Sequence, residues 1–236
     1  TFFIWLAARI RFTSLTAETK FVMMSVFYVT YINYGLIYLF ASYDNRSGGH
    51  KIINSLFNGL YPDFNALWFN DIGVLITVIM TSNMYWPPLE FVMFYGLRLL
   101  ERMVDQRSLL PRSSGNTNCK TIQAFTQIYS GPEFTLHYKY SYMLVVTFVT
   151  FTFGAGLPIL FPIAFVSLLL FYVVERLMIA YSYSKPPMYG TKTNQATLKL
   201  MTVAPILYCV NAAWLFSNQQ VFRNEVVVNE GGKLFP

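Results

Sequence analysis

Residues Tyr140 to Val174 form a run of 35 without a single charge, YSYMLVVTFVTFTFGAGLPILFPIAFVSLLLFYVV. A helix needs roughly 20 apolar residues to cross bilayer hydrocarbon. The run is too long for one ordinary crossing, and Gly154-Ala-Gly-Leu-Pro158 interrupts it at the middle. Lipid is the solvent in which such a segment folds. The rest of the chain agrees: of 236 residues, 55% are hydrophobic and 12% are charged, against about 25% charged in water-soluble domains. The reading is an all-α, polytopic helical membrane protein.

Further uncharged runs cover Phe21–Ser42, Ile72–Leu89 and Leu200–Phe222; after Glu90 the second continues as Phe91–Leu97. Pro87-Pro88 removes helix hydrogen bonds and restricts the preceding residue, which predicts a kink near Trp86. The 35-residue run is either one long tilted helix or two crossings that meet at Gly154–Pro158. Charge arbitrates between them. Segment 90–139 carries Arg98, Arg102, Arg107, Arg112, Lys120 and Lys139, and segment 175–199 carries Arg176, Lys185, Lys192 and Lys199. Loop 43–71 has only Arg46 and Lys51, against Asp44, Asp63 and Asp71. Cytoplasmic loops hold the Lys/Arg excess, so both basic loops belong on one side. An even number of crossings must separate them, which selects the two-crossing reading.

The expectation is one membrane domain over 1–236 with five complete spans at about 21–42, 72–97, 140–156, 158–175 and 200–222. A helical hairpin occupies 140–174, and a Ser/Asn-rich cytosolic linker runs over 105–121. Loops 98–139 and 175–199 are cytosolic. The apolar start TFFIWLAA before Arg9 and Arg11 reads as a truncated further helix, and the chain as a piece of a larger protein. Asn45-Arg46-Ser47 is a glycosylation sequon in the loop assigned outside, which makes Asn45 the candidate acceptor.

No nucleotide loop, catalytic carboxylate pair or Ser/His/Asp arrangement is present. Cys119, Cys209, His50 and His137 are too scattered for a metal site or a disulfide framework. The reading is no enzyme, no cofactor and no metal. The net charge of +6 reports cytosolic loops and not nucleic acid; the partner is the lipid bilayer.

What the spans do carry is neutral polar stripes. Thr147 and Thr150 recur at helical spacing with Tyr140, Met143 and Gly154; Thr77 and Thr81 are one turn apart, followed by Ser82 and Asn83. Thr30 and Asn33 mark the first span, and Tyr208, Asn211 and Asn218 the last. Two readings stay open. The stripes make interhelical hydrogen bonds, or Thr77, Thr81, Thr147 and Thr150 line a wetted path. Glu90 and Glu175-Arg176 lie near the inner boundary, as an interfacial ion pair or as oxygen ligands for calcium. Gly154, Gly156 and Pro158 form a tight turn or, with Pro87 and Pro88, a hinge that moves on gating.

Residues 134–222 also carry a resemblance. An aromatic helix start, Phe134-Thr-Leu-His-Tyr-Lys-Tyr-Ser-Tyr142, leads through the break Leu157-Pro-Ile-Leu-Phe-Pro162 to Tyr172-Val-Val-Glu-Arg176, with Tyr181 and Tyr183 behind it; Ala204-Pro-Ile-Leu207 opens the last span. This pattern resembles the hyperosmolality-gated calcium-permeable channels and their animal relatives, which share a membrane fold with the anoctamins and the transmembrane channel-like proteins. The resemblance implies a ten- or eleven-helix subunit, sometimes dimeric, that passes ions or scrambles lipid. It implies that spans 1, 2 and 3 belong to the pore-forming group, with spans 4 and 5 behind them. The acidic calcium ligands of anoctamins have no counterpart inside spans 3, 4 and 5. The functional expectation is a channel or lipid-scramblase subunit in a homodimer or larger membrane assembly. Its cation conduction would be poorly selective, under mechanical or osmotic gating. The alternative is a non-conducting structural subunit.

Overall fold

The computed structural model describes residues 9–10, 12, 14–42, 61, 64, 66–107, 117–184 and 190–217. Asn45 and the tripeptide around it lie outside the described residues. Among the described residues all regular elements are helical. Helix α1 spans Leu15–Tyr31 and passes through a π turn, Ile32–Leu36, into α2, Ile37–Ser42. Helix α3, Ala66–Trp68, enters a second π turn, Phe69–Gly73, which opens the long α4, Val74–Gln106. Then come α5, Ile122–Tyr129, α6, Leu136–Phe153, α7, Leu160–Tyr181, α8, Thr191–Met201, and α9, Ala204–Ser217.

Local chemistry sets these ends. Ser14 caps α1 by accepting from the Ala17 N–H at 3.3 Å, and Thr121 caps α5 through Ala124 in the same way. Helix α4 stops where Arg107 turns left-handed, φ 47°. Helix α6 stops at Gly154, and α7 resumes beyond Pro158 with Pro162 in its first turn, where a missing N–H costs nothing. Pro205 has no N–H to continue α8, so Thr202 and Val203 form a turn before α9.

Four helical stretches are long and apolar enough to cross a membrane: Leu15–Leu39, Ala66–Gln106, Leu160–Tyr181 and Thr191–Phe216. They point to an integral membrane protein. Helix α6 does not reach that standard, and its position explains why. It is the central helix, packed by α1, α7, α8 and α9. Leu144, Val145, Val146, Phe148 and Val149 are all buried, along with Ser141, Thr150 and Thr152. A helix surrounded by protein has no need of a lipid-compatible surface. Its neighbours carry that surface instead, with Phe165, Tyr172, Val78 and Val210 exposed on their outer faces.

The break between α6 and α7 is non-helical over 154–159. Contacts between the two helices run in opposite directions along the chain. Phe151 meets Phe161, Tyr142 stacks on Phe171 at 4.9 Å, Lys139 meets Glu175, and Phe134 packs edge-on against Tyr183. Both π turns grip the break. Gly35 packs on the Phe153 ring and Gly73 on Leu157, while Phe69 and Leu215 crowd Gly156.

Helix α4 continues through Pro87 and Pro88, where the sequence predicts a kink. One element departs from the expected layout. The last span is preceded by an amphipathic helix, α8, which buries Thr193 and Thr197 and exposes Lys192 and Lys199. Its polar composition reads as loop until the threonine face finds α1, where the Thr197 hydroxyl lies 3.3 Å from Met23 Sδ.

Candidate functional site

Helix α4 packs along α7 and α1 along α6, while α1 and α4 meet chiefly through the Ile32–Leu36 turn. Between them a lateral cleft of about 340 Å³ is left open. Thr30 and Tyr34 line it from the first span, Asn83 and Trp86 from α4, and Tyr138, Ser141 and Tyr142 from α6; Val26, Val145 and Val146 supply the apolar part. Hydroxyl, amide and aromatic groups from three separate helices converge here without a fixed charge in the lining.

The polar groups of the cleft also hold it in shape. A proline at 87 has no N–H, so the carbonyl four residues earlier, that of Asn83, loses its helical donor. The Tyr142 hydroxyl donates to that carbonyl at 2.9 Å. This bond lets α4 continue through the proline and ties α4 to α6. On the other wall, the Ser141 hydroxyl donates to the Met23 carbonyl at 2.8 Å. At the far end of α6, Tyr31 and Thr152 share a hydroxyl–hydroxyl bond of 2.8 Å, and the Asn211 amide donates to the Thr152 carbonyl at 3.1 Å.

One turn beyond Trp86, Glu90 meets an ion cluster. Lys139 Nζ is 2.6 Å from Glu175 Oε1 and 3.4 Å from Glu90 Oε1, and 5.8 Å from the centre of the Tyr183 ring. Of the two readings open for Glu90 and Glu175, the ion pair is the one formed. Its cation comes from Lys139, while Arg176 instead donates to the Tyr172 hydroxyl at 2.9 Å. The sequence signal for this cluster is the charges that end the uncharged runs: Glu90 after 72–89, and Lys139 and Glu175 on either side of 140–174.

Beyond the cluster, the helix ends on this side of the bundle are tied together. Arg98 donates to the Ser182 carbonyl and, at 3.2 Å, to the Tyr129 carbonyl; the Ser184 N–H donates to the Pro132 carbonyl at 3.1 Å. Asp105 accepts from the Tyr129 hydroxyl at 2.9 Å and from the Asn118 N–H at 3.1 Å. Burial pushes the Tyr129 phenol above its ordinary range, with Gln106 opposing, so it stays a donor to Asp105. An open groove of about 1390 Å³ lies between Phe94–Asp105 of α4, α5 and residues 130–133.

Thr77, Thr81, Thr147 and Thr150 lie outside the cleft lining. Each hydroxyl donates to the carbonyl four residues earlier on its own helix, at 2.8–2.9 Å, and Thr150 is buried. Gly154 and Gly156 sit in the break with no room for a side chain: an added Cβ would lie 2.5 Å from the Thr150 carbonyl oxygen at the first and 2.8 Å from Leu215 at the second. Among the described residues no group of three or more His, Cys, Asp or Glu converges as a metal site would. The chain matches no family model, no curated protein and no solved structure.

Proposed function

We propose that this chain forms part of a membrane channel or lipid-scramblase subunit that conducts cations with poor selectivity and opens under mechanical or osmotic load. The observation that carries the reading is the cleft: a polar-lined opening among spans 1, 2 and 3, the three spans that the resemblance assigns to the pore. A neutral lining attracts ions weakly and gates by dewetting or helix movement, and the Asn83–Tyr142 bond at Pro87 is where such movement would be released. In this reading α6 and α7 form a transmembrane hairpin, the chain crosses the membrane five times, and the subunit works as a homodimer or larger assembly. The contacts of Arg98 and Pro132 with residues 182–184 support a common, cytosolic side for loops 98–139 and 175–199.

The test is cysteine accessibility during recordings from the reconstituted full-length protein. Thr30→Cys and Asn83→Cys are expected to make transport sensitive to a charged methanethiosulfonate reagent, and buried Thr150→Cys is expected not to. Transport untouched at both cleft positions would remove the cleft from the path. A second reading, a structural subunit without conduction, is favoured by the use of Tyr31, Ser141, Thr152 and Asn211 in bonds between helices. Thr30→Lys, which puts a charge in the cleft lining, separates the two: it shifts selectivity or leak in a channel and impairs only assembly in a structural subunit.

A further inference from the structure

The cluster at the foot of the cleft has the form of a cation site. Two carboxylates from different helices, Glu90 on α4 and Glu175 on α7, converge on one point, and that point holds the ammonium of Lys139 from a third helix, α6. The enclosure is tight: side-chain exposure is 13% for Lys139 and 11% for Glu175. Glu175 Oε2 is buried and has no hydrogen-bond partner among the described residues. A buried carboxylate with an unmatched oxygen is costly unless positive charge stands close by. The ammonium supplies one charge against two, so the site is undercompensated even when occupied. Its walls belong to α4, α6 and α7, so whatever cation fills it also fastens those helices together.

We propose that Glu90 and Glu175 form a cation site that Lys139 occupies as a tethered ion, and that the site takes a free divalent cation once the ammonium is removed. A divalent cation is the class that fits: two carboxylate oxygens are hard ligands, and a double charge compensates both. Lys139 therefore makes the fastening of these three helices independent of the ions in solution. The inference does not rest on conduction, because its readout is binding and stability.

The experiment uses full-length protein in detergent, with thermal unfolding followed during titration of calcium chloride or magnesium chloride. N-methylglucamine chloride at matched ionic strength is the control. Wild type and Lys139→Arg, which keep a tethered cation, are expected to show no divalent response beyond the control. Lys139→Ala is expected to melt lower in the control salt and to recover by roughly 5 °C or more on saturation with a divalent cation. Lys139→Ala combined with Glu90→Gln is expected to lose that recovery. Lys139→Gln, which preserves the bulk, is the companion variant, and recovery of either variant only in purifications that include calcium also supports the inference. It is overturned if a folded Lys139→Ala or Lys139→Gln protein responds to divalent cations no more than wild type. Persistence of the response after Glu90→Gln, or failure of both lysine variants to be recovered with and without calcium, overturns it as well.

Discussion

A proline inside a membrane helix leaves a carbonyl with no water to turn to, and the environment must supply a donor. For Pro87 that carbonyl is Asn83 and the donor is Tyr142. The two residues should therefore be energetically coupled. Tyr142→Phe is expected to cost about 1 kcal/mol of stability in the wild type and much less in a Pro87→Ala background, where the backbone N–H is restored. Thermal unfolding of the two single variants and the double variant measures the coupling; strictly additive effects would show that the tyrosine is not compensating for the proline. Glycine positions give the steric counterpart. A Cβ at Gly131 would lie 1.9 Å from the Ser182 carbonyl oxygen, backbone against backbone, and one at Gly156 would press on Phe69 and Leu215 at 2.9 and 2.8 Å. Gly131→Ala and Gly156→Leu should each lower stability by about 1–3 kcal/mol or more. Gly96, with nothing within 4 Å of an added Cβ, should accept alanine without loss. Equal melting temperatures for Gly156→Leu and wild type would refute the close-approach argument.

Burial among the described residues is densest on α6, and the helices around it turn more of their surface outward. Phe148 packs against Phe27 at 4.9 Å and Tyr31 at 5.7 Å and is 3% exposed; Phe165 on α7 is 67% exposed. Phe148→Ala is expected to cost about 3–5 kcal/mol, and Phe165→Ala far less in a lipid-like environment. Comparable losses at the two positions would mean that α6 is not the central helix. The same contrast explains what was legible in the sequence. The break at Gly154–Pro158 was, because two glycines and a proline in the middle of an overlong apolar run leave few alternatives. The lipid-exposed stretches were, because a helix facing lipid must be apolar on its surface. Two features were hidden. Helix α8 was one: it buries a threonine face, with the Thr197 hydroxyl on Met23 Sδ, which no apolar period announces. The cleft was the other: it arises from which pairs of helices pack and which stand apart. Tyr142 and Ser141 read as an aromatic helix start, and only the placement of α1 and α4 turns them into walls.

At the scale of the whole molecule, the membrane assigns each end of the bundle a side. Helix α4 has 33 residues and is roughly 50 Å long, well beyond the ~30 Å of hydrocarbon. At its charged end, from Arg98 to Gln106, Arg98 and Asp105 hold α5 and the segments around Pro132 and Ser182. A basic segment on each side of the α6–α7 pair is thereby drawn to one end of the bundle, where the Lys/Arg count also puts them. Cysteines introduced at Ser114 and Thr191 should be labelled by an impermeant maleimide from the same side of sealed vesicles. A cysteine introduced at Leu157, in the break at the opposite end of α6, is expected to resist that reagent from that side. Labelling of Ser114→Cys and Thr191→Cys from opposite sides would require an odd number of crossings between them, so α6 and α7 could not both traverse the bilayer. The five-span topology would then fail, and with it the placement of the cleft among three membrane-crossing helices.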